Sequence, residues 1–392
     1  QGFFYRPIPK LWYFFLFSVF WLKPFSYHLV SLLLVCGVTA LLYVFLKEKG
    51  VSRIIAWGSA FLFVALSIHH ENIFWISGHS SLLSALFLTG SLVLFQRIWK
   101  GVRRMPLLYV GGAVFSLFCS MLSYDGMIIA PFIIVVLSGG VYKRWKQTFP
   151  ILFLIPFYWI IRTYAGSLVP SGDYGYKWTT FFVNSIGNGI GYIVGMFIGP
   201  RALEYIGGVR SVLKQYLPIV TGFSIIALSA CSIIIIRMRK KLVLYKEVFI
   251  FLLCGLIGSI SYLGLGNASE RYAFIPSIFV VMAWAVAFSN LQNQYRKMGH
   301  TILFIVCVVG ISWWNIGQVR KFEGDWRKAS DIAQTSLLAI KREAYPPKDD
   351  LTFFFINPPI RYGRAWIFPT GLNDALWHMF RDNLYATNIV SS

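Results

Sequence analysis

The sequence predicts an all-α polytopic membrane protein, on three observations. The 392 residues are 57% hydrophobic, with a mean hydropathy of +0.64. Long apolar runs recur, among them Tyr27–Leu46, Ser80–Phe95 and Val248–Leu265. Each is near the ~20 residues that carry a helix across ~30 Å of hydrocarbon. The formal charge of +21 is gathered largely between the runs, where loop Lys and Arg set membrane orientation.

Taken in order, Leu11–Leu22 is short, aromatic and flanked by Lys10 and Lys23, which reads as an interfacial helix. About ten spans follow, at 27–46, 54–69, 80–97, 106–122, 126–142, 148–165, 214–236, 246–264, 272–290 and 300–317. The segment Phe181–Ile198 carries Asn184, Asn188 and four glycines. It reads as re-entrant, interfacial or a broken span. After Gln318 the character changes. WRKASDIAQTSLLAIKRE (326–343) has helical spacing, LTFFFINPP (351–359) reads as a strand closed by a Pro-Pro turn, and ALWHMFRDN (375–383) as a short helix or strand. The expected organisation is a transmembrane domain over 1–317 and a small external α/β module over 318–392.

Alternate loops are short and basic. They hold Lys47, Lys49 and Arg53; Lys100, Arg103 and Arg104; Lys143, Arg144 and Lys146; Arg237, Arg239, Lys240 and Lys241; and Arg296 and Lys297. The positive-inside rule assigns this set to the cytoplasm. The basic charge thereby has its explanation in orientation and anionic headgroups, and no nucleic-acid partner is expected. The five cysteines all lie in apolar runs without a CxxC pair and read as small core residues.

The carboxylates sort the opposite way. Glu71, Asp125, Asp173, Glu204 and Glu270 fall on the outer loops. Glu71, Asp125 and Glu270 stand at the very ends of spans, where an ionisable group is costly and needs a partner. LSIHHENIFWISGHSS (66–81) adds three histidines and a tryptophan to that face. A site at the outer leaflet of the cell membrane is the expectation.

Four stretches then resemble a known superfamily. FYRPIPKLWYFFLFSVFWLKPFSYHLVSLLL (4–34) is similar to a segment of GT-C-type glycosyltransferases in which Phe-Arg-Pro precedes Tyr-His-Leu-Val-Asn-Leu-Leu-Leu. IHHENIFWISGHSSLLSALFL (68–88), SYDGMIIAPFIIV (123–135) and ERYAFIPSIFVVM (270–282) resemble loops of bacterial dolichyl-phosphate-mannose-protein-mannosyltransferase-like proteins, in the same order. The departures are His79 and Ser81, where the family has Arg and Asp, Tyr124-Asp125, where Lys-Glu is common, and a tail without a TPR array. The resemblance also implies an acidic residue in a first external loop upstream of Gln1, so the chain is expected to be an N-terminally truncated piece.

The resemblance implies a GT-C-like fold. The activity it implies is transfer of a sugar from a polyprenyl-phosphate carrier to a glycan, lipid or protein acceptor. Such chemistry needs a carboxylate to take the acceptor's proton and cations for the lipid-phosphate leaving group. Asp125 and Glu71 are the candidate bases or acceptor-orienting groups, with His69 assisting proton transfer. Arg6, Arg271 and Arg162 are candidates for the phosphate. Tyr5, Trp75 and Tyr272 would stack on a sugar, and Glu270 and His79 complete the candidate binding set. Bland readings stand beside these. Arg271 beside Glu270 also fits a structural ion pair, His70 and His79 ordinary loop histidines, and Trp75 an aromatic-belt residue. The spacing of His69, Glu71 and His79 matches no tight metal motif. No metal ligand is therefore assigned, and the resemblance leaves a divalent ion open. The rival functions are an O-antigen polymerase or ligase, whose key residues would sit in 166–213, and a lipid or glycan transporter, for which charges at mid-span and repeated halves are expected but not found.

Overall fold

The computed structural model describes residues 4–101, 106–167, 175–219, 245–295, 298–344, 352–356, 358–368 and 385–389, together with 222, 372, 375 and 376. It divides into two compact units, Gln1–Ile316 and Gly317–Ser392.

Among its described residues the first unit is built of helices joined by short turns, with one isolated bridge between Tyr176 and Leu265. Helix α1 (Pro7–Phe20) opens on a proline, which suits a first turn that has no partner for its N–H groups. Helix α2 (Pro24–Lys49) ends at Gly50, whose φ of 98° is the left-handed conformation that closes a helix and favours glycine. Lys47 and Lys49 in its last turn complement the carbonyl end. Helix α3 (Arg53–Ala65) is followed by a bend of 49° into the short piece Ser67–Phe74. Helices α5 (His79–Trp99) and α6 (Pro106–Ser123) pack along each other and α5 packs on α2. Then come α7 (Ala130–Gly140), α9 (Leu154–Tyr164), α10 (Phe181–Ile198), α11 (Arg201–Leu213), α12 (Lys246–Leu263) and α13 (Phe274–Tyr295), with α4 (His70–Phe74) and α8 (Trp145–Thr148) as short connecting turns. Buried Phe45, Phe63, Phe251, Phe274 and Phe279 anchor the core between them.

Among the described residues six helices are long and apolar enough to cross a membrane, or seven with the bent pair counted as one span. Leu107–Ser123, Asp125–Gly140 and Phe149–Tyr164 are apolar but shorter. Every expected span except 214–236 coincides with one of these helices; most of 214–236 lies outside the described residues. The protein is thus an all-α membrane protein in its first unit.

Helix α10 is an uninterrupted 18-residue helix, so the broken-span expectation is corrected. It is one of the six by length and composition, yet its contacts place it differently. Near its start, Asn184 Nδ2 donates to the Gly264 carbonyl at the end of α12. At its finish, Ile198 and Phe197 carbonyls accept from Trp314 and Asn315, and Asn315 in turn accepts from Ser67. Both ends of α10 therefore meet residues at the same end of the spans. The helix lies across that end and does not traverse the bundle. Helix α1 behaves alike: Tyr13 donates to the Ile76 carbonyl and stacks on His79, both at that end.

In the second unit the expected strand is Thr352–Ile356 (β1), paired in parallel with Tyr385–Ile389 (β4). Arg361–Tyr362 (β2) and Ala365–Trp366 (β3) form a small antiparallel pair. Most of 375–383 lies outside the described residues. The helical spacing at 326–343 is matched, and the helix is longer than that segment: a single helix, α14, runs from Met298 to Ala344. Nothing between 317 and 326 stops it. The segment contains Gly317 and Gly324 but no proline, and a glycine costs a helix only about 1 kcal/mol.

Candidate functional site

A charged group at the end of a span keeps its charge only if partners replace the water it loses. Asp125 obtains them from two other segments. It follows the end of α6 and opens a short 3-10 turn, Asp125–Ile129, ahead of Pro131. Arg6 donates to its Oδ2 at 2.5 Å. Its Oδ1 accepts from the Tyr5 backbone N–H at 3.0 Å, Arg162 at 3.1 Å and the Tyr158 hydroxyl at 3.2 Å. Arg162 and Tyr158 stand four residues apart on α9 and share one face. One carboxylate thus ties the segment before α1 and the end of α9 to the end of α6.

Glu71 forms a second centre. It sits in the short helix after the bend, and its residue exposure is 1%. Its Oε2 accepts from the Ser269 hydroxyl at 2.7 Å and the Arg271 backbone N–H at 3.2 Å. The Arg271 guanidinium lies 3.7 Å from Oε1. That guanidinium also covers the Trp75 ring at 5.1 Å and the Tyr272 ring at 5.2 Å, the arrangement of a cation–π contact. Arg271 is therefore paired across the bundle with Glu71, a partner 200 residues away in sequence. Glu270, its neighbour, is buried beside Ser269 at the start of α13.

Tyrosines join the two centres. Arg6 covers the Tyr124 ring at 4.8 Å. Tyr124 lies 5.7 Å from Tyr262, and Tyr262 stacks face to face on Tyr272 at 4.3 Å with 3° between the planes. Arg271 closes the far end. The stack depends on Gly126: a Cβ there would fall 1.4 Å from the Tyr262 hydroxyl oxygen. Ser261 also donates to the Gly126 carbonyl, holding the two segments together.

A latch fixes the loop that carries Ser269 and Arg271. The Asn188 amide nitrogen lies 2.9 Å from the Leu263 carbonyl, 3.1 Å from that of Leu265 and 3.3 Å from that of Tyr262. These are orphan carbonyls at the end of α12. Arg210 donates to Asn188 Oδ1 and to the Gly266 carbonyl. Burial holds the Arg210 guanidinium below its ordinary value.

The remaining candidates divide. Tyr5, Arg6, Arg162, Arg271, Tyr272 and Trp75 all belong to the two centres. His69 and His79 do not. His69 is fully buried between Phe63 and Phe274, with Nε2 at 2.8 Å from the Ser277 hydroxyl. His79 is fully buried, its Nε2 2.8 Å from Ser31 Oγ and 3.2 Å from the Tyr27 carbonyl. Each packs between helices, away from the two centres. Among the described residues no three His, Cys, Asp or Glu side chains converge as metal ligands. Asp173 lies outside the described residues.

Tyr158, Tyr262, Ser269 and Asn188 were not singled out by sequence as site residues. Tyr158 could have been, from its position one turn before Arg162. Tyr262 gives no such signal, because its partners come from α6 and the start of α13.

In comparisons with protein-family models, curated proteins and solved structures, nothing matches this chain.

Proposed function

We propose that this chain is a GT-C-type membrane glycosyltransferase with about ten spans, working at the outer face of the cell membrane. It would move a sugar from a polyprenyl-phosphate carrier to an acceptor hydroxyl. The observation that carries this reading is the joining of two carboxylate–arginine centres by the Tyr124–Tyr262–Tyr272 stack at one end of the spans. A sugar phosphate needs aromatic faces for its ring and guanidinium groups for its phosphate, and this arrangement offers both.

The two carboxylates are suited to different tasks. Asp125 already accepts from four donors, so it orients Arg6 and Arg162. Glu71 is assigned as the base or acceptor-orienting group among the residues of this chain. As the acceptor oxygen bonds to the anomeric carbon, its proton passes to the carboxylate. The bond from that carbon to the phosphate oxygen breaks, and the electron pair leaves with polyprenyl phosphate. Arg271 and Arg6 stabilise the charge that develops there.

The test is transfer of radiolabelled sugar from polyprenyl-phosphate donors in membranes containing the full gene product. Glu71→Gln should lower transfer by roughly 10²-fold or more, the usual size of a general-base contribution, with membrane insertion unchanged. Wild-type membranes that transfer no sugar from any such donor would sink the reading. Full activity in Glu71→Gln would remove Glu71 from the chemistry.

A further inference from the structure

The bundle also holds a feature that the proposed reaction does not use. Between α5, α6 and the start of α9 is a half-open cavity of about 550 Å³, within the ~300–1,000 Å³ typical of small-molecule sites. Its walls include Phe95, Ile98, Val114, Ile151 and Leu154. The polar lining side chain Thr148 is engaged with Ser138. Trp99, the last residue of α5, and Thr148 line the end of the cavity beside the basic loops, and Phe157, next to Tyr158 on α9, lines its other end. None of the residues that hold Asp125 or Glu71 lines the cavity, so the two sites are distinct, although they adjoin at Phe157 and Tyr158 on α9.

An apolar groove among membrane-spanning helices faces hydrocarbon and gains by holding an acyl chain. The residues at its mouth select the lipid. Lys100 follows Trp99 directly, Lys146 stands two residues before Thr148, and Lys143 follows Tyr142, whose ring packs on Trp99 at 4.7 Å. All three lysines are exposed. Carboxylates at the same end, Glu48 and Glu247, are already paired with Arg97 and Lys49. The mouth is therefore basic, and each lysine there favours an anionic headgroup.

We propose that this groove binds one acyl chain of an anionic phospholipid from the leaflet at the basic-loop end, its headgroup held by Lys100, Lys143 and Lys146. The site does not depend on the glycosyltransferase reading.

The test places a photo-crosslinking amino acid at Ile151, inside the groove, and at Leu252, on a helix face 42% exposed elsewhere in the bundle. The full protein is reconstituted in phosphatidylethanolamine vesicles with a minority of phosphatidylglycerol. The expected result is phosphatidylglycerol crosslinked from Ile151 well above its bulk share, and at its bulk share from Leu252. Each of Lys100→Gln, Lys143→Gln and Lys146→Gln should lower that enrichment, by up to about fivefold apiece. Leu154→Trp, which fills the groove, should abolish crosslinking from Ile151. The lysine variants change exposed residues and so report even where the tryptophan variant fails to fold. Crosslinking from Ile151 at the bulk lipid ratio, or enrichment indifferent to all three lysines, would overturn the proposal.

Discussion

At Asp125 the number of donors decides what its loss would do. Replacing it by Asn leaves Arg6 and Arg162 facing each other across a neutral amide in a largely buried setting. Uncompensated charge of that kind costs about 3–5 kcal/mol. Tyr158→Phe removes one of four hydrogen bonds to the carboxylate and leaves its charge in place, which should cost about 1.5–3 kcal/mol. Thermal unfolding in detergent should rank Asp125→Asn below Tyr158→Phe, and equal midpoints would show that the carboxylate is not what holds the three segments together. Gly126→Ala is a sharper probe of the tyrosine stack. The added methyl collides with the Tyr262 ring and not with a flexible side-chain end, since the ring carbon bearing the hydroxyl lies 2.1 Å from the new atom. The expected outcome is displacement of Tyr262 and loss of its stacking on Tyr272, about 0.5–1.5 kcal/mol beyond the buried area. An unchanged melting midpoint in Gly126→Ala would contradict that geometry.

Among elements, α10 and α14 carry the lessons. Helix α10 is apolar enough for a span, yet its polar stripe, Asn184 and Asn188, is buried against the loop after α12. Asn188→Ala should unfasten residues 264–268 from the roof of the site, leaving carbonyls at the α12 terminus without their donor. Hydrogen–deuterium exchange is the measurement: amides of the 264–272 loop should exchange faster, while those in mid-α12 stay protected. Equal exchange in both proteins would mean that Arg210 alone supplies the latch. Helix α14 continues through Gly324, which is exposed and has open space where a Cβ would stand. Gly324→Ala should therefore stabilise by about 0.4–1 kcal/mol, and Gly324→Pro should cost roughly 3 kcal/mol by breaking the helix. Circular dichroism during thermal unfolding distinguishes the two directions.

For the whole molecule the prediction concerns sidedness. Among the described residues of the first unit, the carboxylates away from the basic loops include Glu71, Asp125 and Glu270, and the loops with Lys100 and Lys143 stand at the other end of the spans. In a cysteine-free background, Lys177→Cys should react with a membrane-impermeant maleimide on intact cells and Lys100→Cys only after permeabilisation. The reverse pattern would invert the orientation and place the paired-carboxylate site inside.

The sequence by itself determined the solvent each segment prefers. Hydropathy is a local, additive property, so the runs at 27–46, 80–97 and 246–264 announced their helices, and the cost of charge near hydrocarbon marked Glu71, Asp125 and Glu270 as residues in need of partners. Only the tertiary structure decided who those partners are. Glu71 and Arg271 meet across 200 residues, Tyr262 stacks on Tyr272 across the loop after α12, and α10 lies across the spans where its composition alone would let it pass through them. That His69 and His79 are buried apart from the two centres was decided in the same way. Pairing is a property of three-dimensional proximity, and hydropathy, being summed along the chain, contains no term for it.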